Sequence, residues 1–322
     1  MRGSIIAWIA ALLLVPVHAL AQQAPAKIPR VGILTTADNE RTPPLDAFRA
    51  GLRDLGYVEG RNIILEFRFA GGDRSRGLKL ATELVALPVD VIVSEGFAPD
   101  TVAATDLIPI VSPTLMDPVQ EGFALSLARP GGNITGFTLM HTELNGKRLE
   151  LLRTAFPQIT AVSALVNPAN RTSKYFEQTE TAARALGLGN LRRVEAESAA
   201  VLHTLRPAVF SGADAVIVLP DGVFYHFRQD VVALVNEAHL PAIYPERDYA
   251  DDGGLMAYGA NVPDNFHRAA DYVDRILKGA KPGDLPIQEP VKFDFVINLN
   301  TANALSLTIP PFLLARATEV IG

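Results

Sequence analysis

The sequence predicts an α/β protein built as two doubly wound parallel-sheet lobes joined by a hinge. Three observations carry this expectation. Short strands nearly free of polar residues, such as Arg30 to Leu34, Asp90 to Ser94 and Asp214 to Leu219, alternate with helical stretches, the pattern of parallel sheets covered on both faces. The rhythm runs twice, on either side of Arg129-Pro130-Gly131-Gly132-Asn133-Ile134-Thr135-Gly136-Phe137-Thr138, a turn followed by a strand that reads as a crossing between lobes. Finally, 322 residues suffice for two domains, and a chain with no cysteine must hold them with hydrophobic cores instead of disulfides.

The beginning of the chain reads as a leader. Arg2, the apolar run Ile5 to Val15 and Ala19-Leu20-Ala21 predict a secretory signal peptide over 1–21, with cleavage before Gln22. The apolar run is short for a membrane span. No cysteine follows the cleavage point, so no lipid-anchored cysteine is expected, and the mature chain should be free in an exported compartment. Trp8 leaves with the leader. Loss of Arg2 takes the net charge from −6 to −7, which points away from nucleic acid and anionic membrane surfaces as partners. A content of 20% charged and 48% hydrophobic residues suits a globular chain.

In order, Arg30 to Leu34 is a buried-type strand ending in the loop Thr35 to Asp38. Pro43 and Pro44 open a helix whose stripe is Leu45, Phe48, Leu52 and Leu55, and Gly56 ends it. Ile63 to Phe69 is the second strand, followed by a helix from about Asp73 to Leu87. The third strand, Asp90 to Ser94, leads through Glu95-Gly96-Phe97 into a short helix reaching Thr105, and Pro109 to Val111 is the fourth. Beyond the crossing, a helix over Asn145 to Ala155 precedes the strand Ala161 to Val166 and the loop Asn167-Pro168-Ala169-Asn170. Then come a helix from Ser173 to Leu186 stopped at Gly187, a strand Leu191 to Val194, and a helix around Ala200 to Phe210. The strand Asp214 to Leu219 ends in Pro220-Asp221, and a helix Phe227 to His239 precedes the strand Pro241 to Tyr244. In the tail, Phe266, Ala269, Ala270, Val273, Ile276 and Leu277 form one helical stripe, Phe293 to Ile297 a strand, and Thr301 to Leu305 the start of a last helix. The expected division is a first lobe over 28–138 with a returning segment at about 262–290, and a second lobe over 139–261, with 291–322 unassigned and two or three chain crossings.

Ligands of such sheets sit beyond the carboxyl ends of the strands, at topological switch points. Short hydroxyls there, Thr35, Thr36, Ser94 and Thr138, suit a carboxylate beside helix N-termini. Glu95, Asp117 and Asp221 can accept hydrogen bonds from an ammonium or from hydroxyls; Asn167 and Asn170 add contacts from the second lobe, and Tyr244 and Tyr258 could wall a pocket. Helix capping by Ser, Thr and Asp, and core packing by Tyr, are the competing roles. No catalytic motif is found: there is no Gly-x-Ser-x-Gly, phosphate loop or His-Glu-x-x-His. His141, His203, His226, His239 and His267 show no metal-ligand spacing and read as surface or locally satisfied, and Asp251-Asp252-Gly253-Gly254 reads as a tight turn instead of a calcium loop. No metal and no cofactor are expected.

The string Leu127-Ala128-Arg129-Pro130-Gly131-Gly132-Asn133-Ile134-Thr135-Gly136 resembles the hallmark of a bacterial family of ABC-transporter substrate-binding proteins that includes tryptophan- and tyrosine-type binders. Further blocks agree, in order, across nearly the whole mature chain: Phe48 to Leu52 with Leu55-Gly56-Tyr57, Lys147 to Leu152, Asn167-Pro168, Leu240 to Tyr244, Gly253 to Gly259, Ile276 to Pro282, Asp284-Leu285-Pro286 and Ile297-Asn298-Leu299. The chain departs from the family pattern at Glu95-Gly96-Phe97 and at Met116, adding charge and bulk on the expected cleft. The resemblance implies a type I periplasmic-binding fold, no catalysis, a small polar ligand of amino-acid type in the interlobe cleft, delivery to an inner-membrane ABC permease, a periplasmic location and a monomer. A ligand-sensing module for a membrane receptor would share the fold, and an exported hydrolase would rest on the acidic loop residues alone.

Overall fold

The computed structural model describes residues 27–168, 173–189 and 191–322; the expected leader and Asn170 lie outside the described residues. The first sheet contains β1 (Arg30–Thr35), β2 (Ile64–Phe69), β3 (Val91–Ser94), β4 (Ile110–Leu115) and β5 (Ile134–Thr138). It is parallel throughout, in the order β2-β1-β3-β4-β5. The second contains β6 (Val162–Val166), β7 (Arg192–Glu195), β8 (Ala215–Val218), β9 (Ala242–Tyr244), β10 (Met256–Ala260), β11 (Phe293–Asn298) and β12 (Glu319–Ile321), in the order β12-β11-β10-β9-β8-β6-β7. Its first five strands repeat the winding of the first sheet. The β10–β11 pair is antiparallel, so the second sheet is mainly and not wholly parallel.

The helices are α1 (Pro43–Asp54), α2 (Gly77–Val85), α3 (Ala98–Ala104), α4 (His141–Ala155), α5 (Ser173–Ala185), α6 (Ala199–Leu202), α7 (Gly222–His226), α8 (Arg228–Glu237), α9 (Arg247–Asp251), α10 (Val262–Leu277), α11 (Leu299–Ala304) and α12 (Pro311–Leu314). Three departures from the sequence expectation have local causes. The helix expected from Asp73 starts as a 3-10 turn at Arg74–Arg76, because the Asp73 carboxylate accepts from Ser75 N and fixes a tight first turn. The stretch 200–210 divides into α6 and a 3-10 turn at Pro207–Phe210, since Pro207 has no N–H to continue a helix. The helix expected at Phe227 is preceded by α7, which Asp221 caps through Val223 N (2.8 Å) and Phe224 N (3.3 Å).

Each sheet owns a core. Val31, Ile33, Val91, Val93 and Val111 of the first sheet pack with Phe48 and Leu52 of α1 and with Phe266, Ala270 and Val273 of α10. Gly51 permits the close approach of α1 to α10: a β-carbon there would stand 2.3 Å from the His267 carbonyl oxygen. The second sheet sandwiches Ala164, Ile217 and Ile243 against Leu149 and Leu152 of α4 on one face, and Val216 and Val218 against Val231 and Val235 of α8 on the other.

The chain passes between the two sheets three times: from β5 to α4, from β10 to α10, and from the segment 285–288 to β11. That last segment is held to the first sheet by Thr135 Oγ1 donating to Leu285 O (2.8 Å) and Gln288 N to Gly136 O (2.9 Å). Met140, between β5 and α4, takes a left-handed φ of 50°, a conformation a side chain rarely adopts and one that concentrates where the fold is constrained for use.

Candidate functional site

In each sheet the winding reverses once, between β1 and β3 in the first and between β6 and β8 in the second. At such reversals the loops diverge and leave a crevice. Both crevices are bridged by side chains the sequence had singled out. In the first, Thr35 Oγ1 at the end of β1 donates to Glu95 Oε2 after β3, and the Thr36 backbone N–H also supports the Glu95 carboxyl. In the second, Asn167 Nδ2 after β6 donates to Asp221 Oδ2 after β8 (3.1 Å).

The two crevices face each other. A β-carbon on Gly222, at the start of α7, would stand 2.8 Å from the Arg74 guanidinium of the first lobe. Arg74 donates to Gly96 O (2.7 Å) and lies 5.3 Å over the Phe97 ring. At the other end of α7, a β-carbon on Gly72 would stand 1.7 Å from His226 Nδ1. The Glu95 carboxyl therefore looks across at α7 and α9: it interacts with Asp248, and Tyr225 interacts with Glu95, Asp248 and Glu246.

The remaining candidates divide. Thr138, 4% exposed at the end of β5, holds the third crossing through its backbone N–H to Gln288 O (2.9 Å), while its hydroxyl is buried with no hydrogen-bond partner. Ser94 is turned inward, its hydroxyl 2.7 Å from Thr101 Oγ1 of α3. Asp117 caps its own turn by accepting from Gln120 N (3.1 Å). Tyr244 is fully buried, stacked on Tyr249 with ring centroids 5.1 Å apart, and Tyr258 is stacked on Phe293 (6.0 Å) over the second core. The bulk added by Phe97 goes into the first-lobe core, and Met116 packs against the core of the second sheet.

Sequence reasoning missed a polar group on the second lobe made of His141, Arg148, Glu246, Asp248, Tyr225, Arg228 and Tyr249. Of the two roles expected for His141, surface or locally satisfied, the first is corrected: it is 4% exposed, with Nε2 3.4 Å from Glu246 Oε1 and Nδ1 unpartnered. Burial and the neighbouring Arg148 hold its imidazole neutral, well below the usual histidine range. Arg148 is fully buried and donates to Tyr258 O (2.7 Å), Asn145 Oδ1 (2.6 Å) and Pro245 O (3.1 Å), tying α4 to both β9 and β10. Burial lowers its pKa to about 10, so it stays cationic at neutral pH. Burial raises Glu246 to about 8, against the pull of Arg148. Asp248 is raised by burial and partly restored by Arg228, whose Nε lies 2.7 Å from Asp252 Oδ2. The Tyr249 hydroxyl is fully buried, has no hydrogen-bond partner, and faces Glu246, Asp221 and Tyr225. The available signal was position: Tyr225 lies one turn after Asp221, and Asp248 one turn after Tyr244 at another strand end.

Among the described residues no cluster of three or more His, Cys, Asp or Glu is arranged to hold a metal ion, and no helix is long and apolar enough to cross a membrane. A surface hollow of about 320 Å³ lined by Gly51, Phe137, His267 and Tyr272 sits over the α1–α10 contact and shares no residue with the crevices.

Comparison with known proteins gives a consistent result. A profile of the family described as ABC transporter substrate binding protein matches residues 39–321. The chain is 27% identical to a tyrosine-binding protein of Clostridioides difficile (strain R20291) over 273 residues, covering 82% of this chain and 78% of that one. Its structure resembles that of a conserved domain protein from Vibrio cholerae, with a TM-score of 0.81 at 28% identity over 91% of this chain and 100% of the other. A domain from Streptococcus pneumonia in complex with L-Trp gives a TM-score of 0.80 at 25% identity, over 91% and 99% of the two chains.

Proposed function

Since the chain belongs to the ABC transporter substrate-binding protein family, which is non-enzymatic, we propose that it is the exported, periplasmic component of an importer that closes two lobes on a small polar, amino-acid-like ligand and presents it to an inner-membrane permease. The lobes are 28–138 with 262–290, and 139–261 with 291–322, turning about the three crossings. The observation that carries this reading is the meeting of two switch-point crevices, Thr35–Glu95 and Asn167–Asp221, together with buried hydroxyls that have no protein partner at Thr138, the end of β5, and at Tyr249, which faces Asp221. A buried hydroxyl without a partner costs about 1–3 kcal/mol, and a ligand's polar group would recover it.

The test is calorimetric titration with a panel of amino acids, amines and sugars on the wild type and on Thr138→Val. The expected result is stoichiometric binding without turnover, weakened roughly 10-fold or more in the variant by loss of one hydrogen bond. Undiminished affinity in Thr138→Val would remove that residue from the site, and turnover of a bound compound would overturn the transport reading.

A further inference from the structure

The two lobes touch each other directly, and the contact is reciprocal: each offers the other one glycine and one reaching side chain. Gly222, the first residue of α7, lies against Arg74 of the loop that follows β2. A β-carbon on Gly222 would stand 2.8 Å from Arg74 Nη1 and 3.0 Å from both Cδ and Cζ. Gly72, two residues before Arg74, lies against His226, the last residue of α7. A β-carbon there would stand 1.7 Å from His226 Nδ1 and 1.8 Å from Cε1. Gly222 and His226 are four residues apart in one helix, so they share a face, and that face is turned to the first lobe.

Both reaching side chains are set in place by their own lobe. Arg74 donates to Gly96 O (2.7 Å), and its guanidinium lies 5.3 Å over the Phe97 ring. The His226 ring stands edge-on to Phe227, with centroids 4.4 Å apart. The receiving backbones are fixed as well. Gly72 N donates to Thr36 O (2.9 Å) and Ala70 N to Thr35 O (3.0 Å), which ties the loop to the end of β1. Asp221 caps α7 through Val223 N and Phe224 N, and its other oxygen accepts from Asn167. A contact whose parts are held beforehand costs little ordering when it forms. Each lobe braces its half of the contact on the same strand ends that form its crevice.

We infer that the pairs Arg74–Gly222 and His226–Gly72 form a two-point latch that sets the fraction of molecules closed before any ligand arrives. This rests on the reading of the chain as two lobes that shut on a ligand, and it adds the positioning residues of that motion. The contacts exist only where the lobes meet, so they stabilise the closed arrangement and leave the open one unchanged. The latch is protein against protein. Weakening it lowers the competent fraction, and the affinity for every ligand then falls by the same factor, whatever the ligand's chemistry. Glycine is required at 222 for space, because Arg74 cannot step aside without leaving Gly96 O and the Phe97 ring. At 72 it is required both for space and for a left-handed φ of 70°.

The experiment exploits the absence of cysteine. Spin labels on Lys79→Cys and Glu237→Cys, exposed positions on α2 and α8 of opposite lobes, report the interlobe distance distribution of the full mature chain with no ligand added. Arg74→Ala, His226→Ala and Gly222→Ala are then introduced singly. The labelled parent is expected to show a short-distance component, reduced about 3-fold or more in each variant by loss of packing contacts. Melting temperatures should stay with the parent's, since Arg74 and His226 are exposed. Gly222→Ala leaves each lobe's own contacts intact, so it decides the matter should truncation of Arg74 disturb the Gly96 loop. A parent without a short component, or a component that Gly222→Ala leaves unchanged, overturns the latch while the binding role stands. The second arm is calorimetric titration of Arg74→Ala with the same panel of amino acids, amines and sugars. Every compound the parent binds should weaken by one common factor; losses that differ from compound to compound would make Arg74 a ligand contact and overturn the latch. A panel in which nothing binds counts against the binding role alone, because the distance measurement needs no ligand.

Discussion

At the scale of single residues, the buried ionisable groups of the second lobe set opposing pH dependences. Burial lifts Glu246 to about 8, so between the pKa of an unfolded glutamate and that value the folded chain keeps a proton the unfolded chain has released. Stability therefore falls as pH rises through about 4.5 to 8. His141 acts in the opposite sense: it stays neutral when folded, so below about 6.5 the unfolded chain takes up a proton that the folded one refuses, and stability falls as pH falls. Glu246→Gln keeps the shape and removes the ionisation. The variant should be more stable than wild type at pH 8 by on the order of 2 kcal/mol and retain only the acid-side decline. Urea unfolding at pH 5, 6.5 and 8 measures this; a profile that the substitution leaves unchanged would sink the assignment. His141 and Glu246 were illegible in the sequence because nothing local marks them. His141 has no histidine partner at ligand spacing; the Arg148 charge that helps hold it neutral is two helix turns on, and its neighbour Glu246 a hundred residues on. Thr35, Glu95, Asn167 and Asp221 were legible because they sit at strand ends, where the winding rule directs attention. The same rule also drew in Ser94, whose hydroxyl the neighbouring Thr101 takes.

At the scale of elements, the contact of α1 with α10 is the joint most exposed to a small change. The stripes of both helices were readable, Phe48 and Leu52 on one and Phe266, Ala270 and Val273 on the other, but not that they meet, since more than two hundred residues separate them. Gly51 is the residue that lets the backbones approach. Gly51→Ala gains helix propensity in isolation, yet places a methyl 2.3 Å from His267 O and 2.8 Å from the Ala270 β-carbon. The helices must then separate, and a loss of roughly 1–3 kcal/mol is expected, read as a lower midpoint in denaturant at unchanged slope. A gain in stability would show that the joint is loose. The short elements α9, α12 and β12 escaped the sequence reading for the same reason that α6 was overextended. Three to five residues carry too little periodicity to distinguish one element type from another or from a turn, and their boundaries are set by tertiary contacts such as Thr318 N to Phe295 O (2.8 Å).

For the whole molecule, the proposed closure makes a claim about shape. With a bound ligand the lobes should stay together, since a ligand touching both favours the closed arrangement by its differential affinity. Solution X-ray scattering should give a smaller radius of gyration with ligand than without. Equal radii in both conditions would argue for a rigid pair of lobes. Two sheets wound alike and covered on both faces were evident from apolar strands alternating with helices. The antiparallel β11 was not, because a strand's direction depends on where the preceding connection returns it.

The three crossings also dictate when each half of the chain can finish folding. The first sheet is complete in sequence at Thr138, but the helix that covers Phe48, Leu52, Val93 and Val111 begins only at Val262, and the segment that pairs with β5 ends at Gln288. A ribosome making residues in order must therefore synthesise nearly all of the second lobe before the first can close its own apolar face. The first half stays incomplete until almost the whole chain has emerged; under the export proposed above, that order of assembly would keep it unfolded for longer.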